Sequence, residues 1–152
     1  AIPELLNQLM AEPYFLSNYP KSTGKELFNL QWIRPHITSS MSSTDIQATL
    51  LEVTARSIAD NIRLITTSCE LTIDEVFVCG GGSKNLRLMQ RLRELLSPIT
   101  VDKTDTLGVD PDWVEAIAFA WLAKQTLLGL PGNLPSATGA SGSRVLGAIY
   151  PA

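Results

Sequence analysis

The sequence predicts a helix-rich α/β fold with a small, partly parallel sheet. An apolar strand pattern at residues 75–79 runs through three glycines into an amphipathic helix at about 85–96, and a second short strand pattern follows at 100–103. Helices that alternate with strands in this order are typical of parallel sheets. Because helical patterns cover far more of the chain than strand patterns do, we expect the sheet to be small.

Apolar residues at helical spacing predict three more helices. The first covers Pro3 to about Ala11, and the longest covers about Thr44 to Ser68, where the run Ser-Thr-Asp supplies residues that cap a helix start. The third covers about Pro111 to Gly129 and is apolar nearly all round. A helix without a polar face is expected to be central and covered on several sides.

The remaining segments are predicted to be mostly loop. Residues 12–43 contain three prolines and two serine-rich patches around a run at 25–29 that predicts one or two helical turns. The tail at 129–144 is predicted to be a long loop, and loops of this length usually have a function or are loosely ordered. It leads into residues 145–150, which predict a short strand.

Composition excludes several classes of function. The 152 residues predict a single domain covering 1–152, with 45% hydrophobic and 18% charged residues and a net charge of −3. We expect no nucleic-acid partner, since Lys and Arg are scattered and the charge is negative. No apolar stretch reaches the length of a membrane span and no leader is evident, so we expect a protein with no membrane contact.

Cysteine content and the chain start add two expectations. Cys69 and Cys79 are too few for a disulfide scaffold, which favours a cytoplasmic location, and Cys79 is expected to be a small hydrophobe inside the strand. The chain begins Ala-Ile-Pro without a methionine. It is therefore expected to be either a processed protein or a piece of a longer one.

The three glycines that follow the first strand are the first candidate binding site. Gly80, Gly81 and Gly82 lack Cβ atoms, so backbone N–H groups can approach a phosphate or nucleotide where the following helix begins. A tight strand-to-helix turn that binds nothing is the alternative. The dinucleotide fingerprint is not matched, because its third glycine is replaced by Asn85, and Lys21–Lys25 has the letters of a Walker A loop in the wrong order.

Glu115 is the second candidate, because a carboxylate beside such an apolar run is costly unless it is hydrogen-bonded, solvated or used. In one interpretation, Glu115 and Asp112 form a capping box. In the other, Pro111 starts the helix, Asp110 caps it and Glu115 is free for a site. His36, the single histidine, is expected to be a surface residue, and no metal-ligand spacing or nucleophile–histidine pair is present.

Four separated blocks carry a family resemblance: VFVCGGGSKN at 76–85, VEAIAFAWLA at 114–123, KSTGKELF at 21–28 and the ending LPGNLPSATGASGSRVLGAIYPA at 130–152. They resemble the C-terminal part of bacterial anhydro-N-acetylmuramic acid kinase, and the resemblance covers essentially the whole chain. That family belongs with hexokinases, actin and heat-shock chaperones, in which two RNase H-like lobes close on ATP. The resemblance implies that this chain is the second lobe without its leading strands.

The resemblance also implies site roles. Gly80, Gly81, Gly82 and Asn85 would face the nucleotide, and Glu115 would face the sugar. The family's first phosphate loop and its general-base aspartate have no counterpart here, so no catalytic residue and no metal ligand is expected in this chain. ATP, Mg²⁺ and an amino sugar are the implied ligands, and the missing N-terminal lobe is the implied partner. The loop that begins at Lys21 would lie near the cleft or be only a surface turn.

Three hypotheses follow. The chain is the ATP-binding lobe of this kinase and is inactive alone, or a catalytically silent nucleotide-binding or chaperone-like module, or an interaction domain whose glycines form only a turn. Faces that normally meet the missing lobe would be exposed, so a homodimer is also expected to be possible.

Overall fold

A computed structural model describes residues 1–150 and forms a helix-rich α/β structure around a two-stranded parallel sheet. Strand β1 (Glu75–Val78) pairs with β2 (Thr100–Lys103), with Val76 opposite Val101. The predicted fold class is thereby confirmed at the level of a small parallel sheet among helices.

Two long helices form the centre of the structure. Helix α4 (Ser43–Ser68) begins after Ser42, whose Oγ accepts a hydrogen bond of 3.1 Å from the Asp45 N–H. Helix α5 (Leu86–Leu96) connects the two strands and packs against α4. Their contact is filled by buried apolar side chains, namely Ala55, Ala59, Leu88, Met89, Leu92 and Leu96, together with Val101 of β2.

Helix α1 (Pro3–Met10) packs against another side of α4. Its buried leucines, Leu5, Leu6 and Leu9, pack with Val53 in a second core cluster. Thr49 is fully buried between the two helices; its Oγ1 accepts a 2.8 Å hydrogen bond from the Ile2 N–H and donates a 2.7 Å bond to the Asp45 carbonyl. The predicted bounds of α1, α4 and α5 are confirmed to within two residues.

The segment predicted to be loop, residues 12–43, contains two short helices. Helices α2 (Pro13–Leu16) and α3 (Leu30–Ile33) bring four aromatic rings together, with Phe15 stacked on Phe28 at 5.1 Å. Of the one or two helical turns predicted at residues 25–29, a single turn forms, in which the N–H groups of Leu27 and Phe28 donate to the Gly24 carbonyl. Helix α3 starts only after Asn29, whose side chain caps it.

The predicted C-terminal strand is wrong. Residues 145–150 are irregular, and α7 (Pro135–Thr138) is a short helix in the tail that precedes them. The Leu146 carbonyl accepts a hydrogen bond from the Thr126 hydroxyl, so it contacts a helix instead of a neighbouring strand. The Asn133 side chain holds the tail loop by accepting from the Arg144 N–H and donating to the Gly142 carbonyl.

Helix α6 (Val114–Leu127) differs most from its prediction. It is shorter at both ends than expected, and none of its residues is buried. It packs mainly on the C-terminal segment, where Leu122 meets Gly132 and Thr126 meets Gly147. The expectation of a central, covered helix is therefore wrong for this chain, because the described residues include no second layer that lies over α6.

Candidate functional site

The three glycines form an open turn between β1 and α5. Gly80 has φ +70° and ψ −168°, a conformation that strongly favours glycine. Residues Gly81–Lys84 then form one turn of 3₁₀ helix. The strand, glycine turn and helix predicted from the sequence are thus present in that order.

Residues 1–150 leave the space around the turn open. A Cβ added to Gly80 or Gly81 would meet none of their atoms within 4 Å, and one added to Gly82 would lie 3.7 Å from the Leu88 side chain. Gly81 and Gly82 have ordinary backbone angles, so neither conformation nor packing requires glycine at these two positions. A ligand that approaches the backbone closely would require glycine at these positions.

Backbone donors are available at the same place. The Gly80 N–H donates a 3.0 Å hydrogen bond to the Pro111 carbonyl, and the Ser83 N–H donates to the Gly80 carbonyl. Within residues 1–150, the N–H groups of Gly81 and Gly82 have no acceptor, as is usual for the first amides of a helical turn. The turn therefore presents two free donors beside open space.

Side chains within the turn hold its shape. Asn85 caps α5, with its Oδ1 accepting a 3.1 Å bond from the Leu88 N–H, and within residues 1–150 its amide nitrogen has no acceptor and is available to a ligand. Ser83 is almost completely buried, and its hydroxyl donates a 2.7 Å bond to the Gly80 carbonyl. Sequence reasoning missed Ser83; a small hydroxyl residue in the first turn after the glycines was the available signal.

Replacing Ser83 with alanine is expected to lower the free energy of unfolding by about 1–2 kcal/mol, because the Gly80 carbonyl loses a buried hydrogen-bond partner. Hydrogen exchange at the amide of residue 83, which donates to the same carbonyl, should also accelerate. Urea denaturation and exchange mass spectrometry measure the two effects. Ser17→Ala, which removes an exposed hydroxyl bound to the Pro13 carbonyl, is the control. Equal effects of the two substitutions would contradict a structural role for Ser83.

Two contacts join the glycine turn to the segment that leads into α6. One is the bond from Gly80 to Pro111, and the other is an ion pair in which Lys84 Nζ lies 2.6 Å from Asp112 Oδ2. Asp112 holds the pKa of Lys84 above its ordinary value. Both side chains are more than half exposed, so the pair adds little stability. It does keep the turn and the start of α6 adjacent.

Glu115 lies in the first turn of α6, where its side chain is exposed. The capping box with Asp112 does not form, and no side chain in the described part of the chain caps helix α6. Asp110 instead accepts a 2.9 Å bond from the Asp112 N–H in a turn that precedes the helix. Of the two interpretations of the sequence, the structure matches the one that leaves Glu115 free, although the helix starts at Val114 and not at Pro111.

The other candidates from the sequence lie elsewhere. Lys21 Nζ donates to the carbonyls of Tyr14 and Phe15, at 3.0 and 3.2 Å, and so fixes the segment that carries two of the four packed aromatic rings. His36 contacts the Gln8 side chain at 3.3 Å. Cys79 is exposed after the end of β1, so its expected burial is wrong, because the strand ends one residue earlier than predicted.

Residues 1–150 have no group of three or more histidine, cysteine, aspartate or glutamate side chains placed to hold a metal ion. They also have no helix of the length and apolarity needed to cross a membrane.

A parallel strand that leads through an open glycine turn into a helix is typical of α/β proteins that bind phosphate groups. A family model described as Anhydro-N-acetylmuramic acid kinase matches residues 1–152, and the chain therefore belongs to this family. The resemblance inferred from the sequence blocks is confirmed.

Several relatives bear the same name, Anhydro-N-acetylmuramic acid kinase. The chain is 51% identical to the protein of Pseudomonas syringae pv. tomato over 152 residues, covering 99% of this chain and 41% of that protein. It is 49% identical to the protein of Coxiella burnetii over 148 residues, covering 97% of this chain and 39% of that protein. The chain thus spans about 40% of the length of the relatives it matches.

Proposed function

We propose that this chain is the C-terminal, nucleotide- and sugar-facing part of an ATP-dependent anhydro-N-acetylmuramic acid kinase. The observation that carries the proposal is the family match along the whole chain. We further propose that the fold is the second RNase H-like lobe of this kinase, forming one domain over residues 1–152. In the complete protein it would meet the N-terminal lobe and act in the cytoplasm, where ATP is available.

The glycine turn is the part of the chain that suits a nucleotide. Within residues 1–150, the N–H groups of Gly81 and Gly82 are free and lie beside open space, and such donors bind phosphate oxygens well. Gly80 and the amide nitrogen of Asn85 would complete this surface along the adenosine and α-phosphate side. ATP supplies the transferred phosphoryl group, and Mg²⁺ would accompany its phosphates without a ligand set from this chain.

Glu115 is the proposed contact to the sugar. Its carboxylate is exposed and has no hydrogen bond or ion pair within residues 1–150. In the sequence, Glu115 comes four residues after Pro111, whose carbonyl accepts a hydrogen bond from the glycine turn. A free carboxylate accepts hydrogen bonds from sugar hydroxyls and so orients them. In this role Glu115 positions the substrate, and the general base is an aspartate of the N-terminal lobe.

The proposed reaction of the complete protein opens 1,6-anhydro-N-acetylmuramic acid and phosphorylates it. Water adds to the anomeric carbon as the 1,6-anhydro bond breaks, and the γ-phosphoryl group of ATP passes to O6. The products are N-acetylmuramic acid 6-phosphate and ADP. Phosphoryl transfer depends on positioning from both sides of the substrate, so the chain alone is expected to be inactive.

ADP release tests this proposal. The assay contains Mg·ATP and 1,6-anhydro-N-acetylmuramic acid, with this chain alone, the unmatched part of the Pseudomonas syringae relative alone, and the two joined in one polypeptide. We expect activity only in the joined protein. Activity of the chain alone would contradict the proposed inactivity. A folded joined protein that binds ATP without turnover would instead indicate a silent nucleotide-binding module.

In the joined protein, Glu115→Ala is expected to lower kcat/KM by about 10- to 100-fold, the loss that corresponds to a hydrogen bond from a charged group. Glu4→Ala is the matched control, because Glu4 is also an exposed carboxylate in the first turn of a helix. Its kcat/KM should be unchanged. Equal activity of the Glu115 variant and the parent protein would remove Glu115 from the site.

A further inference from the structure

Three large apolar side chains form an exposed row along helix α6. Trp113, Ile117 and Trp121 follow one another at intervals of four residues and are 64%, 54% and 51% exposed. Side chains at this spacing lie on one side of a helix. Two indole rings and an isoleucine in one exposed row are more typical of an interface than of a free surface.

The row and Glu115 lie on different sides of the helix. With about 100° of rotation per residue, Glu115 is turned about 200° away from Trp113. A partner that covers the row therefore leaves the carboxylate free to reach a ligand. Lys124 lies on the same side as the row, and within residues 1–150 it has no ion pair.

Helix α6 also has an apolar groove on another side. Phe119, Leu122 and Leu127 line it together with Leu146 and Ile149 of the C-terminal segment, and its volume is about 600 Å³. A symmetric pair of α6 helices that met through their tryptophan rows would cover one side and leave this groove open. A larger partner that passes around the helix would cover both.

We infer that the row Trp113, Ile117 and Trp121 docks onto the part of the family protein that this chain does not span. This inference rests on the proposed function, in which that part completes the enzyme. The relatives have more than half of their length outside the matched region, which is enough chain to surround a helix. The contact surface should be apolar, with recesses for two indole rings and an acidic group facing Lys124.

Association with the unmatched part of the Pseudomonas syringae relative tests the inference without an activity assay. A Trp32→Phe background leaves Trp113 and Trp121 as the two tryptophans of the chain, which has three in all. Binding should shift their fluorescence emission to shorter wavelength, and sedimentation should show a one-to-one complex. Ile117→Asp should weaken binding at least tenfold. Leu30→Asp, at a side chain that is 73% exposed in another helix, should leave binding unchanged.

The outcomes separate the possible occupants. Absence of association, or equal binding by the Ile117 and Leu30 variants, would overturn the inference. A dimer of this chain alone that Ile117→Asp dissociates would assign the row to a second copy. If the separate part does not fold, the same variants are compared in the joined polypeptide, where Ile117→Asp should lower the melting temperature more than it does in the chain alone. Association without ADP release would leave the inference standing and contradict the proposed function.

Discussion

Arg91→Met is expected to lower the free energy of unfolding by about 2–4 kcal/mol at pH 7. Arg91 of α5 binds Glu52 of α4 through two hydrogen bonds, of 2.7 and 2.9 Å, and Arg56 binds the same carboxylate at 2.7 Å. The Glu52 side chain is only 12% exposed. Removing Arg91 therefore leaves a nearly buried carboxylate with one remaining partner.

The loss should depend on pH in a defined direction. The hydrogen bonds from Arg91 and then those from Arg56, opposed by burial, lower the pKa of Glu52 from 4.5 to about 2. The pairing thus contributes its full stability above pH 4.5 and loses it as the pH falls toward 2. The difference between Arg91→Met and the parent chain should shrink accordingly between pH 5 and about pH 2.

Urea denaturation followed by circular dichroism, at neutral and acidic pH, measures this difference. Arg87→Met is the matched control, because Arg87 is an exposed residue of the same helix and, among the described residues, its side chain bonds to Gln90 alone. It should cost less than about 0.5 kcal/mol at any pH. A loss in Arg91→Met that stays constant down to pH 2, or one no larger than the control's, would contradict the proposed role of the pairing.

Gly81→Val should weaken ATP binding by the joined polypeptide at least tenfold and change its unfolding free energy by less than about 1 kcal/mol. The fold has room for a side chain at Gly81, and its backbone angles are ordinary. A branched side chain would occupy the space that the proposed nucleotide needs. Isothermal titration with Mg·ATP and thermal unfolding measure the two quantities.

Gly129→Val provides the opposite pattern. Gly129 has φ +65° and lies after the end of α6, and no atom of residues 1–150 lies within 4 Å of an added Cβ there either. Valine there should cost about 1–2 kcal/mol of stability through backbone strain and leave ATP affinity unchanged. If Gly81→Val lost stability without losing nucleotide affinity, the three glycines would be only a turn.

The local parts of the structure were predictable from the sequence. The bounds of α1, α4 and α5 follow from apolar periodicity and from capping residues, and the strand–glycine–helix order places the open turn at Gly80. These features depend on residues that are close in the chain. Glu115 was identified as a candidate for the same reason, since a lone carboxylate in an apolar run is visible without coordinates.

The errors fall where an outcome depends on what packs against a segment. Residues 145–150 have strand composition, but they need a neighbouring strand for hydrogen bonds, and the Leu146 carbonyl pairs with Thr126 instead. The apolar residues of α6 predict burial, but burial depends on the presence of a covering layer. The described part of the chain supplies only the C-terminal segment for that purpose.

The sequence by itself determined the helix-rich α/β class and the glycine turn, because periodicity and turn chemistry are properties of neighbouring residues. It also determined the kinase family, because four blocks of the sequence resemble that family in the right order. Only the tertiary structure decided that Arg91 pairs with Glu52, 39 positions away, and that Lys84 reaches Asp112. It also decided the choice between a capping and a free Glu115, and the exposure of the tryptophan row. These outcomes depend on how the helices approach one another in the folded chain. The spacing of residues along the sequence does not determine that approach.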